Sequence, residues 1–348
     1  MNDERDDEPA AAHPAWPGLL PWQNDAADAM LASRERWPHA LLLTGAAGIG
    51  KRQFAFELGR ALLCESPRSD GHACGACPGC HYVAVGQHPD FRIVEPIEVD
   101  DDGVAKPVEW IAVKHIRALT AWAQLTSHRR VAKVAVIVPA ERMNTEAANA
   151  LLKTLEEPPA GTFLMLVSAA PGRIPATVRS RCRRMVAPWP DTAAARAWLA
   201  AQDVPNPEAL LAQAAGAPLA ALALADPAYQ AERAIWLSHL ATPRTLVPAQ
   251  LAARIDAAPR EDRRNLMVAA IDWMHGWCVD LAVVQTGGMP RRNADYAPAL
   301  GRLGAAVAPL PLFRYHRTLL RQRSLAAHPL QPRLVAEALL TDYRSLFP

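Results

Sequence analysis

Short apolar runs alternate with amphipathic stretches over the first half of the chain. The apolar runs are rich in aliphatic side chains, which is typical of buried strands in a parallel sheet. They lie at Ala40–Leu43, Phe91–Val94, Val134–Val138 and Phe163–Val167. The stretches between them carry apolar residues three or four positions apart, as amphipathic helices do; these are Arg52–Leu63, Ile111–Leu125 and Asn144–Glu157. Alternating strands and helices predict an α/β domain with a parallel sheet.

The pattern changes after the segment Pro188-Trp189-Pro190, where the strand signals end. Residues 191–225 leave room for three short helices, and a longer helical region follows from Pro227, interrupted near residues 286–290. A chain of 348 residues is also longer than a single core of roughly 250–300 residues. We therefore predict a small helical domain and a larger all-α domain behind the α/β domain, with boundaries 1–187, 188–226 and 227–348.

Composition and charge restrict the class of protein. The chain is 51% hydrophobic and 21% charged, which suits globular packing, and its net charge of +2 is too small to predict nucleic-acid binding from bulk electrostatics. The segment Met1–Pro9 is acidic and lacks the basic and apolar regions of a signal peptide. No apolar run approaches the roughly 20 residues of a membrane span. We expect a cytoplasmic protein that has no membrane partner.

The stretch from Thr44 to Arg52 resembles a phosphate-binding loop altered at its last position. Gly45, Gly48, Gly50 and Lys51 match G-x-x-x-x-G-K, in which backbone N–H groups and the lysine hold phosphates. A serine or threonine should follow and bind Mg²⁺, but Arg52 stands there. A guanidinium has no acceptor and repels a metal cation. The motif predicts a nucleotide-binding fold with weak or no nucleotide binding.

Hydrolysis also needs an acidic pair at the end of the strand that contributes a second metal contact. In the candidate strand these two positions hold Val138 and Pro139. Glu141 follows in the loop, and we interpret it as a solvated loop charge that does not replace the missing pair. The sequence therefore lacks two features that ATP hydrolysis requires.

Four cysteines are clustered after the P-loop helix. Cys64, Cys74, Cys77 and Cys80 have the spacing C-x9-C-x2-C-x2-C, which lets thiolates converge on one ion in a reducing compartment. Four sulfur ligands predict a closed, structural Zn²⁺ site. Free thiols and a C-x-x-C redox pair are the alternatives. We interpret the nearby His72, His81 and His88 as solvated. Cys182 and Cys278 lie elsewhere in the chain, and we interpret each as a small buried residue.

Several motifs together resemble the clamp-loader branch of the AAA+ proteins. They comprise the segment Met143–Pro159, the strand Phe163–Val167, the triplet Ser180-Arg181-Cys182 and the cysteine module at 64–80. The helix Ile111–Arg117 also fits, whereas the last third of the chain matches mainly in helical character. The similarity covers nearly the whole chain. It implies a P-loop (AAA+) domain, a helical lid domain and an all-α collar domain.

The resemblance also implies roles for individual residues. Arg181 corresponds to an arginine finger that acts in trans on a neighbour's ATP, an effect worth roughly 10³–10⁵ in rate in nucleotide hydrolases. Active relatives place another arginine in the lid, where this chain has Leu219. Three other arginines near the finger are assigned to surface or DNA-backbone contacts: Arg179, Arg183 and Arg184.

From these features we expect a non-hydrolysing stator subunit of a sliding-clamp loader in DNA replication, within the bacterial DNA polymerase III holoenzyme. The resemblance implies gamma/tau ATPase subunits and a delta subunit as partners in a hetero-pentamer, and the sliding clamp and primed DNA as partners of the complex. No polymerase or intrinsic ATPase activity is expected from this chain. The alternatives are an active clamp-loader ATPase that uses Lys51, and a zinc-dependent DNA-binding module.

Overall fold

The computed structural model describes residues 18–33, 36–99, 104–326 and 331–347. The acidic N-terminal segment that argued against a signal peptide lies outside these residues. The chain divides into two compact units, residues 1–194 and residues 195–348.

The first unit contains seven described strands and six described helices. The strands are β1 Ala40–Thr44, β2 Phe91–Val94, β3 Ile97–Val99, β4 Ala105–Pro107, β5 Lys133–Ile137, β6 Thr162–Ser168 and β7 Arg183–Val186. The helices are α1 Asn24–Leu31, α2 Lys51–Leu63, α3 Pro78–Ala84, α4 Val113–Gln124, α5 Thr145–Glu156 and α6 Ala176–Arg179.

Five of these strands form one parallel sheet in the order β2-β5-β6-β1-β7. Four of them are the predicted strands, so the parallel α/β architecture is confirmed. β7, which pairs only with β1, was not predicted because it begins with two exposed arginines. The short antiparallel hairpin of β3 and β4 was also missed, because most of its residues are exposed.

The sheet is covered by amphipathic helices, as the pattern predicts. Ile116 and Leu119 of α4 pack with Leu151 of α5 in one hydrophobic cluster that includes inward-facing residues of the strands. Helix α5 begins where predicted, since the Asn144 side chain accepts a hydrogen bond of 2.8 Å from the backbone N–H of Ala147, an N-cap contact. The carboxyl ends of β1, β5 and β6 meet at the same edge of the sheet, where the loop residues of the candidate sites begin.

The second unit is helical throughout its described residues. Its helices, the first of which starts in the preceding unit, are α7 Thr192–Ala200, α8 Pro207–Gln213, α9 Pro218–Leu224, α10 Pro227–Leu240, α11 Pro248–Ala257, α12 Arg263–Gln285, α13 Ala297–Ala306, α14 Pro309–Leu325 and α15 Pro332–Arg344. A small core forms among α7, α8 and α9, and a larger core forms from α10 onward. The predicted fold class, an α/β domain followed by helical parts, is confirmed.

The tryptophans of the larger core are packing residues, as expected. Trp236 and Trp277 are fully buried, and Trp273 is nearly so. The indole N–H of Trp277 donates to the Tyr343 hydroxyl at 2.9 Å. The indole N–H groups of Trp236 and Trp273 also donate hydrogen bonds within the unit, so all three buried rings have a partner for their polar atom.

Helix α12 is long and apolar enough to resemble a membrane span by length and composition. The expectation that no apolar run approaches the length of a membrane span did not anticipate this helix. More than half of its apolar window is buried inside the unit, and its Asp280 is buried and accepts hydrogen bonds from the backbone N–H groups of Arg291 and Asn293. These contacts are those of a central core helix, and its apolar composition follows from that position.

Candidate functional site

The loop between β1 and α2 has the backbone of a P-loop. Gly48 and Gly50 have φ angles of 78° and 90°, in the left-handed region that glycine adopts without strain. A Cβ added to Gly45 would lie 2.8 Å from Ile49 Cδ1, and one added to Gly50 would lie 2.2 Å from Leu20 Cδ1. The loop runs directly into the N-terminus of α2, where helix N–H groups favour an anion.

Lys51 is turned into its own loop. Its side chain is largely buried, and its Nζ donates a hydrogen bond of 2.5 Å to the carbonyl oxygen of Ala46. Burial lowers the pKa of the Lys51 ammonium, and the negative charge of Glu141 opposes that shift. The cation that a P-loop uses for phosphate is thus partnered by a loop carbonyl in this structure.

Arg52 is held by contacts with two side chains. Its Nε and Nη2 donate to Oε1 and Oε2 of Glu95 at 3.0 and 3.1 Å, a paired geometry that is strong for arginine and carboxylate. Its guanidinium carbon also lies 4.5 Å from the centre of the Phe56 ring, within range of a cation–π contact. The sequence position whose hydroxyl binds Mg²⁺ in a working P-loop is therefore occupied by an arginine with fixed partners.

The two positions expected to be acidic remain apolar in the structure. Val138 is buried at the end of β5, and Pro139 precedes a 3-10 turn over Ala140–Arg142. Glu141 lies in that turn, but its interpretation as a solvated charge was wrong. Its Oε1 accepts a hydrogen bond of 3.0 Å from the backbone N–H of Ala169, and its Oε2 is buried without a hydrogen-bond partner among the described residues.

A segment near the N-terminus packs onto the P-loop, which no sequence signal indicated. The indole N–H of Trp22 donates to the Ile49 carbonyl at 3.0 Å. The Gln23 amide, which is fully buried, donates to the Gly50 carbonyl at 2.8 Å. These bonds fix two carbonyl groups of the loop, and the Gln23 amide, like Leu20, limits the space around Gly50.

The four clustered cysteines converge. Their Sγ atoms all lie within 4.8 Å of one another, with 3.9 Å between Cys64 and Cys77 and 4.0 Å between Cys74 and Cys80. A tetrahedron of sulfurs at the usual Zn–S length has edges of about 3.8 Å. None of the four is in a disulfide, and their sulfur atoms lie close enough together that they could hold a metal ion.

Backbone groups and burial set the acidity of these thiols. The N–H groups of Ala76 and Cys77 donate to Cys74 Sγ and lower its pKa to about 6. Burial raises the pKa of Cys80 to about 12 and also raises that of Cys64. Thiolates are the metal-binding form, so a cation at the centre would be needed to deprotonate the two buried members.

The three nearby histidines differ from one another. His81 is exposed, as expected. His72 is half-buried, and its Nε2 lies 2.7 Å from Asp28 Oδ1. The interpretation of His88 as solvated was wrong: it is 4% exposed, and its Nδ1 accepts a hydrogen bond of 3.0 Å from the Asp90 N–H. Burial lowers its pKa.

Arg181 lies between α6 and β7, on the surface of the first unit. Its Nε donates to Glu156 Oε1 at 2.8 Å, its Nη2 contacts the same oxygen, and its Nη1 donates to the Thr177 carbonyl at 2.9 Å. The side chain of Arg181 retains 35% of its exposure. A cation on the surface with one carboxylate partner can reach a group on another molecule.

The other residues singled out in the sequence lie in several different elements. Arg179 Nε donates to the Ile174 carbonyl at 3.1 Å, whereas Arg183 and Arg184 are exposed on the edge strand β7. Cys182 is half-buried against the sheet core, and Cys278 is fully buried in the second unit. Leu219, at the position of the lid arginine, is half-buried in α9.

The chain is similar in sequence to named proteins. A family model described as "DNA polymerase III, delta subunit" matches residues 27–188. The chain is 34% identical over 338 residues to DNA polymerase III subunit delta' of Pseudomonas aeruginosa, covering 94% of this chain and 98% of that protein. The chain belongs to the delta-prime subunits of DNA polymerase III. It is also 39% identical over 213 residues to the delta' subunit of Escherichia coli, covering 59% of this chain and 60% of that protein.

Other similarities cover less of the chain or have a lower identity. DNA polymerase III subunit tau of Salmonella typhimurium is 35% identical over 144 residues, which are 41% of this chain and 21% of that protein. Among solved structures, a gamma subunit-related protein of Thermotoga maritima matches with a TM-score of 0.44 at 16% identity, covering 92% of this chain and 99% of that one. The structural likeness is too low to bear on function.

Proposed function

We propose that this delta-prime subunit is a non-hydrolysing stator of a sliding-clamp loader and lends Arg181 to ATP held by a neighbouring subunit. The observation that carries the proposal is the pairing of Arg52 with Glu95. A guanidinium fixed by two hydrogen bonds stands where a nucleotide hydrolase needs a metal-binding hydroxyl.

Further contacts support the absence of hydrolysis. Lys51 donates to its own loop, so phosphate binding must first break a short hydrogen bond. Val138 and Pro139 offer no carboxylate for a second metal contact or for orienting water. The carboxylate of Glu141 adds a negative charge near Lys51 and opposes an anionic ligand there. Each of these features weakens binding of a nucleotide with its metal ion at this loop.

Arg181 supports the second half of the proposal. A planar cation placed at a γ-phosphate stabilises the charge that develops during phosphoryl transfer. Arg181 is partly exposed on the first unit and needs to release only one carboxylate, Glu156, to make such a contact. Its backbone contact with Thr177 can persist while the remaining donors change partner.

The cysteine cluster is proposed as a structural zinc site. Cys64, Cys74, Cys77 and Cys80 would hold the ion, and their separations suit a closed tetrahedron. Zinc bound by four thiolates supplies structural stability and no open position for a substrate. The cluster would join the end of α2 to the start of α3, next to the P-loop helix.

The partners are proposed from the relatives' names and from the motif resemblance. Delta-prime and tau are both named as subunits of DNA polymerase III. We propose gamma/tau ATPase subunits and a delta subunit as partners in a cytoplasmic hetero-pentamer, with the clamp and primed DNA met through that complex. The division into a P-loop domain, a lid and a collar at 187/188 and 226/227 forms part of this proposal.

The test is ATP hydrolysis by the reconstituted loader, with and without clamp and primed DNA. Arg181→Ala should lower the stimulated turnover tenfold or more, a loss of about 1.4 kcal/mol of transition-state stabilisation. Arg173→Ala removes the same charge from an exposed position in the same unit and should leave turnover unchanged. The isolated chain should release no phosphate, and gel filtration must show that both variants assemble.

Two results would overturn the proposal. Steady ATP turnover by the isolated chain would identify an active ATPase that uses Lys51. Unchanged ATP turnover with Arg181→Ala in an assembled loader would show that Arg181 does not act as an arginine finger. Sequence-dependent DNA binding by the isolated chain, together with either result, would favour the DNA-binding module in its place.

A further inference from the structure

Arg181 is engaged by Glu156, the last residue of α5, within the same subunit. Both Nε, at 2.8 Å, and Nη2 of Arg181 contact one oxygen of Glu156, its Oε1. Two elements that pack on each other, α5 and α6, bring these residues together across 25 positions of sequence. Any use of these two donors on another molecule requires that the carboxylate leave.

This ion pair is arranged less tightly than another arginine–carboxylate pair in the same unit. Arg52 uses both oxygens of Glu95 in two parallel hydrogen bonds, and the Glu95 side chain is 19% exposed. Arg181 uses one oxygen of Glu156, and the Glu156 side chain is 50% exposed. Parallel bonds add strength and geometric specificity, and exposure weakens an ion pair through solvent screening. The Arg181 pair is the easier of the two to exchange.

A second contact remains available when Glu156 leaves. Nη1 of Arg181 donates to the Thr177 carbonyl at 2.9 Å, and the carbonyl belongs to the backbone of α6. That bond uses a donor that Glu156 does not. It holds the guanidinium near its present place while Nε and Nη2 are transferred. A γ-phosphate carries more negative charge and more acceptor oxygens than a carboxylate, so it is the stronger partner once it is within reach.

We propose that Glu156 is a latch on Arg181, which holds the finger within the subunit until a neighbour's triphosphate displaces the carboxylate. The inference rests on the proposed trans role of Arg181 and adds a positioning residue to it. In the loader without clamp and DNA, Arg181 is shared between Glu156 and the neighbouring phosphate. Removing the latch charge shifts that distribution toward the phosphate and raises the basal rate.

The experiment compares Glu156→Gln with Glu157→Gln in the reconstituted loader. Glu157 is the adjacent exposed residue, so the control removes the same charge one position away. Glu156→Gln should raise basal ATP turnover about two- to fivefold, the range expected for losing an exposed ion pair, and leave the rate stimulated by clamp and DNA unchanged. Glu157→Gln should change neither rate.

A double variant separates a latch from a structural role. Glu156→Gln in the Arg181→Ala background should not raise turnover, because no finger remains to be released. Thermal unfolding of the single variants should coincide, which confirms that both proteins fold. Equal basal rates for Glu156→Gln and Glu157→Gln, a lower rate for Glu156→Gln, or an equal gain without Arg181 would each overturn the latch.

The outcomes also distinguish the latch from the function on which it rests. If Arg181→Ala lowers stimulated turnover while Glu156→Gln behaves as its control, the finger stands and only the latch is wrong. If Arg181→Ala leaves turnover unchanged, the trans role fails, and the latch fails with it.

Discussion

Replacing Cys80 by serine should release the metal ion from the cysteine module, residues 64–80, and lower the unfolding temperature of the first unit. Cys80 is 1% exposed, and its Sγ lies 4.0 Å from that of Cys74. Serine is close in size, but its hydroxyl is not among the usual zinc ligands. The substitution therefore removes one of four ligands with little change in volume.

The size of the effect follows from what the module covers. Without its metal ion the start of α3 is free to detach, which would expose the buried side chain of Val83 and break the 3.0 Å bond from the Gly79 N–H to Glu65. Burial of one such side chain contributes about 1.5–3 kcal/mol and a hydrogen bond to a charged group about 1.5–3 kcal/mol. We expect a loss of about 3 kcal/mol, the lower end of these two contributions together, and, for a unit of this length, a fall of roughly 6–12 °C in the unfolding temperature.

The assay has two readouts. Elemental analysis of the purified protein should find one zinc ion per wild-type chain and much less than one per Cys80→Ser chain. Differential scanning calorimetry should show the fall in unfolding temperature. Cys182→Ser is the matched control, since Cys182 lies in the same unit outside the cluster, and it should retain the zinc.

Two results would refute this reasoning. Wild-type protein purified under reducing conditions without any bound metal would leave the free-thiol or redox interpretation of the cysteines. Loss of zinc from Cys80→Ser with an unfolding temperature equal to that of the Cys182→Ser control would mean that the ion does not stabilise the unit.

Two further predictions concern stability. Gly50→Ala should lower the unfolding temperature more than Gly161→Ala. Both glycines have left-handed φ angles, but only at Gly50 would the new Cβ meet a side chain, that of Leu20, at 2.2 Å. Equal losses in calorimetry would show that this contact relaxes freely. Burial, together with the neighbouring His316, lowers the pKa of His275, so as the pH falls below about 6.5 the unfolded chain binds more protons at this position than the folded chain does. Stability should therefore fall from pH 7 to pH 5, and His275→Gln should reduce that slope in urea unfolding; an equal slope would contradict the assignment.

The local patterns of the sequence were sufficient for much of the fold. Central parallel strands are buried on both faces and read as continuous apolar runs, so β1, β5 and β6 could be located from side-chain type alone. The edge strand β2 was also located, because three of its four residues are apolar. β7, at the other edge, could not be located, because half of its four residues are the exposed Arg183 and Arg184. The helix N-cap at Asn144 was predictable because its contact spans three residues.

The same distinction applies to the candidate sites. The glycine spacing of the P-loop and the C-x2-C intervals of the cysteine module are contiguous motifs, so the chemistry they favour follows from the sequence. The position of Arg52 in that motif showed that a cation replaces a metal ligand. Its fixation by Glu95 could not be read from the sequence, because the partner is 43 positions away at the end of another strand.

Only the tertiary structure decided which partner each functional side chain has. Arg181 stands in a recognisable triplet, yet its contact with Glu156 depends on how α5 packs against α6. Glu141 and His88 carry no sequence signal of burial, and both were misinterpreted as solvated. Composition and periodicity specify which residues face a core, because hydrophobic burial is non-directional. Ion pairs and hydrogen bonds between distant segments depend on distances of a few ångströms, which arise only when the chain is folded.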